Sequence, residues 1–184
     1  MKKKQVNRLK NNIILLLIAT LLVTLCSCKG NMTEQTVKAE LERLLPLSYE
    51  LNEIFWGEGL PLQKIDSTDR FLPVENNCGY SSTEDIIKKA EEIFSEEYLE
   101  IIKDAIFTDS DDTDPRYADI NGILKADSMN KGFDVKGNIV VDSVKIMKQN
   151  KGMVIFSADY EDGGQTEITL INQNGKWYLN SPTY

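Results

Sequence analysis

Histidine is absent from this chain of 184 residues. Its absence excludes Ser-His-Asp and Cys-His catalysis, histidine-ligated zinc and the usual general base near neutral pH. Catalysis would then depend on carboxylates, lysines or tyrosines held close together, and no motif in the sequence groups such side chains. We therefore expect a protein that binds a partner or ligand without catalysing a reaction and without a cofactor.

The chain also has few cysteines and lacks a glycine-rich phosphate-binding motif. Two of the three cysteines lie within the first 28 residues, so Cys78 stands alone beyond them and no internal disulfide framework is expected. A buried or half-buried thiol is a simpler interpretation of Cys78 than a nucleophile. Gly57-Glu58-Gly59 lacks the remaining residues of a phosphate-binding loop, and no such loop follows a strand.

The first 28 residues have the composition of an export signal. Five lysines and arginines between positions 2 and 10 precede an apolar run, Ile13 to Leu25, which is interrupted only by two threonines. A helix that crosses a bilayer needs about 20 apolar residues, so this run is too short to span comfortably. Its length is typical of the hydrophobic region of a secretory signal.

The run ends in Leu25-Cys26-Ser27-Cys28, which resembles the lipobox of bacterial lipoproteins. Small Ser27 at the cleavage position favours Cys28 as the lipidated cysteine, whereas bulky Leu25 would precede Cys26. The resemblance implies a signal peptide over 1–27, cleavage between Ser27 and Cys28, and a lipid-anchored protein on the extracytoplasmic side of the cell membrane. Several acyl chains such as palmitate would hold it there more firmly than one. An uncleaved signal anchor is the alternative.

The chain that would remain after cleavage is acidic. Loss of residues 1–27 removes five basic residues and no acid, leaving 16 Lys+Arg against 29 Asp+Glu, a net charge near −13. Such a surface repels nucleic acid and anionic lipid head groups, so the membrane tether would be the lipid on Cys28. The charge suits a cationic protein partner, and it is equally a common means of staying soluble.

Apolar residues at helical spacing predict two or three helices after a short spacer, which covers 28–32 together with the lipidated cysteine. Pro46 lies inside the first helix and should kink it or split it in two, because proline donates no backbone hydrogen bond. Ser81 and Ser82 precede Glu84 and Asp85 in a capping-box pattern that begins a second helix, and Ser95 marks a break before a third. The expected helices cover 33–56, a stretch beginning after residue 82, and 96 to about 105.

Alternating apolar residues and tight-turn signals predict antiparallel strands in the second half. Asn121-Gly122 is a type I′ turn pair that would join two of them. The expected strands cover 117–120, 123–126, 139–148, 153–160, 166–171 and 176–179, with a possible short strand at 70–75. We therefore predict a single α+β domain over 33–184, with two to three N-terminal helices packed on a curved antiparallel β-meander.

This element order resembles the cone-shaped nuclear transport factor 2-like fold, in which a helical hairpin precedes a meander. The resemblance implies a ligand pocket inside the curved sheet and a small-ligand carrier or sensor. Trp56, Tyr80 and Trp177 are the candidate side chains for the lining of such a pocket. Packing in the core is the simpler interpretation of each of them.

A second resemblance is to the secreted DL-endopeptidase inhibitors of Gram-positive bacteria. It rests on the helix that ends in Phe55-Trp56-Gly57-Glu58-Gly59, on the paired helices of 82–107 and on the late hairpins that close at Gly175-Lys176-Trp177. The family binds and blocks cysteine-type peptidoglycan hydrolases through an acidic surface. The resemblance implies a similar partner, although a lipid anchor departs from a freely secreted inhibitor.

An acidic loop, Asp109 to Asp114, has a spacing that suggests a calcium site. An EF-hand requires glycine at the sixth position and glutamate at the twelfth, where this chain has Asp114 and Ile120. We therefore interpret the segment as a solvated loop and predict no metal site.

Overall fold

The computed structural model describes residues 31–109, 114–135 and 137–184. Asn31 to Tyr184 forms one compact unit. The predicted signal peptide and the cysteine at position 28 lie outside the described residues. Met32, which the sequence placed in the polar spacer, is buried, so the packed core begins slightly earlier than residue 33.

Three helices occupy the first half of the unit: α1 (Glu34–Phe55), α2 (Thr83–Glu91) and α3 (Glu96–Phe107). Each begins at a hydroxyl side chain that accepts a hydrogen bond from a backbone amide of the first turn. These capping residues are Thr33, Ser82 and Ser95. Such a cap stabilises a helix by roughly 1 kcal/mol because it satisfies an N–H that has no partner within the helix.

Pro46 does not split the first helix, so that alternative is wrong. Helix α1 runs without interruption through it. Pro46 is exposed, so the carbonyl left free by its missing N–H faces water, while Leu44, Leu45 and Ser48 on either side are buried. Tertiary packing of the buried face therefore stabilises the helix across a residue that is unfavourable for its backbone.

Among the residues that the structure describes, seven strands form two antiparallel sheets, which confirms the α+β class. The strands are β1 (Phe71–Pro73), β2 (Tyr117–Ile120), β3 (Ile123–Asp127), β4 (Ile139–Gln149), β5 (Met153–Tyr160), β6 (Gln165–Gln173) and β7 (Lys176–Leu179). The larger sheet is the predicted meander, β4-β5-β6-β7, and the smaller sheet has the order β1-β3-β2. The β2–β3 hairpin turns at Asn121 and Gly122, both with positive φ (56° and 75°), as a type I′ turn requires.

Helix α1 packs against the meander and contacts β4 and β7. The meander's inward side chains are buried, most of them completely, and they share one core with the buried face of α1. They include Val154, Phe156, Ala158, Ile168 and Leu170. Burial of one such large apolar side chain contributes about 1.5–3 kcal/mol. Side chains therefore fill the inner face of the sheet. The resemblance to the nuclear transport factor 2-like fold implied a ligand pocket at this place.

Two polar contacts hold the C-terminal residues against the helices. Thr183 is buried, and its hydroxyl lies 2.6 Å from the hydroxyl of Ser48 and accepts from the Asn52 amide at 2.9 Å. Leu179 exchanges backbone hydrogen bonds with the α2–α3 junction: it donates to Ile93 at 2.8 Å and accepts from Ser95 at 2.9 Å. This short parallel bridge covers the outer edge of β7, which would otherwise expose unpaired backbone groups.

Candidate functional site

The three aromatic residues singled out in the sequence lie in different surroundings. Trp56 follows the end of α1, is half-buried, and stacks on Phe133 with 6.4 Å between ring centroids. Its ring also contacts Tyr184 at 5.7 Å. Trp177 is half-buried in β7 opposite Asn172.

Tyr80 lies in a third place, on the loop before α2, and its hydroxyl donates to Glu50 at 2.7 Å. Burial, followed by this hydrogen bond, raises the pKa of the Tyr80 phenol. Cys78 is half-buried beside it and donates to the Tyr80 carbonyl at 3.4 Å. No ring contact among the described residues joins Trp56, Tyr80 or Trp177 to another of the three.

The turn that follows α1, Gly57 to Leu60, forms one wall of a cavity of about 370 Å³, which we call the α1 cavity. Three groups donate hydrogen bonds to carbonyls at and just beyond the end of the helix. The Tyr117 hydroxyl donates to Ile54 at 2.9 Å, the amide of Phe133 donates to Trp56 at 2.8 Å, and the guanidinium of Arg116 donates to Gly57 at 2.5 Å. A cation at this position also interacts favourably with the negative end of the helix dipole.

A second arginine organises the loops beside this cavity. Arg70 donates to both carboxylate oxygens of Asp127, at 2.9 and 2.7 Å, and also pairs with Asp114. The carboxylate of Asp127 is almost fully buried. Hydrogen bonds from Arg70 are the main reason that the pKa of Asp127 lies below its ordinary value. Asp114, the last residue of the predicted acidic loop, therefore forms an ion pair. Residues 110–113 of the same loop lie outside the described residues.

Helices α2 and α3 carry a dense set of carboxylates. Positions 84–104 contain eight acids and three lysines, and each lysine pairs with a glutamate near it on the helices. Glu91, Glu96, Glu97 and Asp104 are exposed, and no ion pair to any of them occurs among the described residues. The surface of this helix pair is therefore strongly negative.

Part of that surface forms a groove of about 290 Å³, which we call the acidic groove. Its lining combines carboxylates with apolar and aromatic side chains: Glu91, Phe94, Glu96, Leu99, Glu100, Lys103, Gln173 and Tyr178. The hydrogen bond to Glu100 raises the pKa of Lys103. The ammonium of Lys176 lies 4.8 Å from the centre of the Tyr178 ring, so this aromatic face already attracts a cation.

The remaining observations concern metals, membranes and known proteins. Within the described ranges, no group of three or more cysteines and carboxylates could hold a metal ion. No helix in the same ranges is both long enough and apolar enough to cross a bilayer. No protein-family model matches the chain, and no curated protein sequence matches it significantly.

Sequence reasoning missed Arg116 and Asp127, which lie at the α1 cavity. A signal for Arg116 was present: it stands between Pro115 and the strand residue Tyr117, where the pattern becomes apolar. A charged residue at such a position is seldom buried unless it has a specific partner. The exposed glutamates of α2 and α3 lie on solvated helix faces, but the groove beside them depends on how β6 and β7 approach.

Proposed function

We propose that this protein is a lipid-anchored lipoprotein on the extracytoplasmic side of a bacterial cell membrane, with a domain that binds a cationic protein and does not catalyse a reaction. A peptidoglycan hydrolase is the proposed partner, and the proposed effect is modulation or inhibition of that enzyme. The observation that carries the proposal is the acidic groove, since it combines carboxylates with an aromatic wall on the strongly negative surface of α2 and α3.

The chemistry of the groove suits a lysine or arginine side chain. Glu91 and Glu96 offer carboxylates, while Phe94 and Tyr178 offer apolar and aromatic surface. The stem of a long basic side chain packs on apolar surface while its charged end remains near carboxylates and water. An aromatic face beside it adds about 0.5–1 kcal/mol at an exposed site.

The overall charge supports the same partner class. A net charge near −13 after removal of residues 1–27 would steer a basic protein toward this surface and repel nucleic acid. Electrostatic complementarity of this kind mainly accelerates association and weakens as salt screens the charges. Binding to the proposed partner should therefore decline strongly between low and physiological ionic strength.

The predicted lipid anchor supports the proposed location on the extracytoplasmic side of the cell membrane. The basic leader, the short apolar run and the lipobox-like sequence ending at Cys28 together support export and lipidation. A tethered domain meets enzymes that work in the adjacent cell wall, which gives a protein of this charge access to a peptidoglycan hydrolase.

The test is a binding and inhibition assay with peptidoglycan hydrolases of the same organism. We expect micromolar or tighter binding, with reduced hydrolysis. The variant Glu91→Lys/Glu96→Lys should bind about tenfold more weakly, which corresponds to about 1.4 kcal/mol. The matched control Asp66→Lys/Asp69→Lys makes the same charge change at exposed positions outside the groove.

Two results would count against the proposal. One is a wild-type protein that neither binds nor inhibits any of these hydrolases at micromolar concentration. The other is an equal loss of affinity in the groove variant and in the control. That result would show that the overall charge of the protein, and not the groove, determines binding. Thermal unfolding of both variants would verify that they are folded, because Glu96 also lies in the favourable first turn of α3.

A further inference from the structure

The α1 cavity contains a buried positive charge. Arg116 is only 5% exposed and lines the cavity. Its acceptors among the described residues include two neutral oxygens, the Gly57 carbonyl at 2.5 Å and the side-chain oxygen of Asn130 at 3.1 Å, and the guanidinium also interacts with the neutral hydroxyl of Tyr117. No carboxylate in 31–109, 114–135 or 137–184 lies within ion-pair distance of it. A buried charge is ordinarily compensated by an opposite charge.

The acids around the cavity do not supply that compensation. Asp127 already accepts two hydrogen bonds from Arg70 and one from the amide of Met129 at 2.9 Å. Glu58 and Asp134 also line the cavity, but both are exposed, where water solvates their charge. The guanidinium has five N–H donors, and the Gly57 and Asn130 oxygens engage two of them.

The cavity has the size of a small-molecule site. Its volume of about 370 Å³ lies within the range of ligand pockets, roughly 300–1,000 Å³. Leu60, Leu62 and Tyr117 contribute apolar surface, and the ring of Phe133, 54% exposed, also belongs to the lining. The rest of the lining is mainly polar, and such groups fix the orientation of a ligand and provide specificity.

We propose that this cavity binds an organic carboxylate. The carboxylate accepts hydrogen bonds from Arg116, whose planar guanidinium matches its geometry, and the apolar part of the ligand rests on Leu60 and Phe133. This goes beyond the proposed function, because the cavity and the acidic groove have no lining residue in common. A free small acid and the C-terminal carboxylate of a peptide share this chemistry.

Isothermal titration calorimetry of the full chain in phospholipid nanodiscs tests the proposal with N-acetylphenylalanine and its uncharged amide as probes. The acid should bind with a dissociation constant below about 1 mM, and the amide at least about tenfold more weakly. A hexapeptide that ends in phenylalanine separates the two sources of the carboxylate: tighter binding than the small acid favours a peptide terminus, and weaker binding favours a free acid.

Two variants localise the binding. Arg116→Met should weaken binding of the acid at least about tenfold, but it also removes the contact with Gly57 at the end of α1 and can reduce stability. Leu62→Trp keeps Arg116 and fills the cavity from its half-buried wall, so it should weaken binding by a similar factor. Ile65→Trp, at an exposed position outside the cavity lining, is the matched control and should bind as the wild type does.

Several outcomes would overturn the proposal. These are no binding of the acid up to about 10 mM, equal binding of acid and amide, or a Leu62→Trp protein that binds normally. A fourth concerns Asp111 and Asp112, which lie outside the described residues. Binding that occurs only after Asp111→Asn/Asp112→Asn would show that the chain's own carboxylates hold the guanidinium.

Discussion

The hydroxyl of Tyr117 donates to the carbonyl of Ile54 at 2.9 Å and accepts from the amide of Leu60 at the same distance. One fully buried side chain on β2 thus satisfies two backbone groups on either side of the turn that ends α1. Arg116, the next residue back, donates to Gly57 within the same turn. The small sheet and the long helix are therefore joined at the point where the cavity forms.

Tyr117→Phe should reduce the free energy of unfolding by about 1–3 kcal/mol, because it leaves the Ile54 carbonyl and the Leu60 amide buried without their partner. Chemical denaturation measures the change. Tyr178→Phe is the matched control, since its hydroxyl has no hydrogen bond among the described residues, and its effect should stay within about 0.5 kcal/mol. Equal effects of the two would contradict the role assigned to Tyr117.

Asp127→Asn should change how steeply the free energy of unfolding falls as the solution becomes acidic. Hydrogen bonds from Arg70 lower the pKa of Asp127 in the folded state, so the unfolded chain binds more protons as the solution becomes acidic. The stabilisation is complete above the unfolded pKa, about 3.9, and is lost as the pH falls through the lower folded pKa. Below about pH 4 the wild type should therefore lose stability more steeply than Asp127→Asn.

The control for this measurement is Asp69→Asn, an exposed carboxylate without an ion pair among the residues that the structure describes. The free energy of unfolding of Asp69→Asn should fall with decreasing pH in the same way as that of the wild type. Unfolding by denaturant between about pH 2.5 and pH 6 gives the slopes. Parallel curves for the wild type and Asp127→Asn would show that the Arg70–Asp127 pair does not contribute to acid stability.

Thr183→Val should be destabilising although the two side chains have similar volume. The change removes the hydroxyl that contacts buried Ser48 and accepts from buried Asn52, and it leaves these polar groups without that partner. The expected loss is about 1–3 kcal/mol in chemical denaturation. The exposed Thr68→Val should stay within about 0.5 kcal/mol of the wild type.

Cys28→Ala should abolish incorporation of radioactive palmitate by the protein in cells, because the proposed anchor places the acyl chains on this cysteine of the lipobox-like sequence. Cys26→Ala is the matched control and should remain labelled. Undiminished labelling of Cys28→Ala would overturn the assignment, and loss of label only in Cys26→Ala would transfer it to Cys26.

The parts of the fold that were predictable depend on local physics. The starts of the second and third helices, at Ser82 and Ser95, follow from side chains that cap an N-terminus, whatever the helix later packs against. The hairpin at Asn121 and Gly122 follows from their tolerance of positive φ. Strand spacing and turn residues then gave the meander in its correct order.

The parts that were missed depend on contacts between distant segments. The pairing of Phe71–Pro73 with β3, which adds a third strand to the β2–β3 hairpin, is specified by no local pattern. The buried surroundings of Arg116 arise from the end of α1 and the loop at Asn130, which are far from it in sequence. Neither the cavity nor the acidic groove could therefore be located from periodicity or composition.

The bridge between Leu179 and the α2–α3 junction also sets an order of events during folding. Ser95 and Asn180, which are bonded through their side chains beside this bridge, lie 85 positions apart in the chain. Contacts of such separation form late, because a long loop must close before they provide stabilisation. Helices α2 and α3 are closed by local hydrogen bonds, whereas their junction becomes fixed only when the last strand arrives.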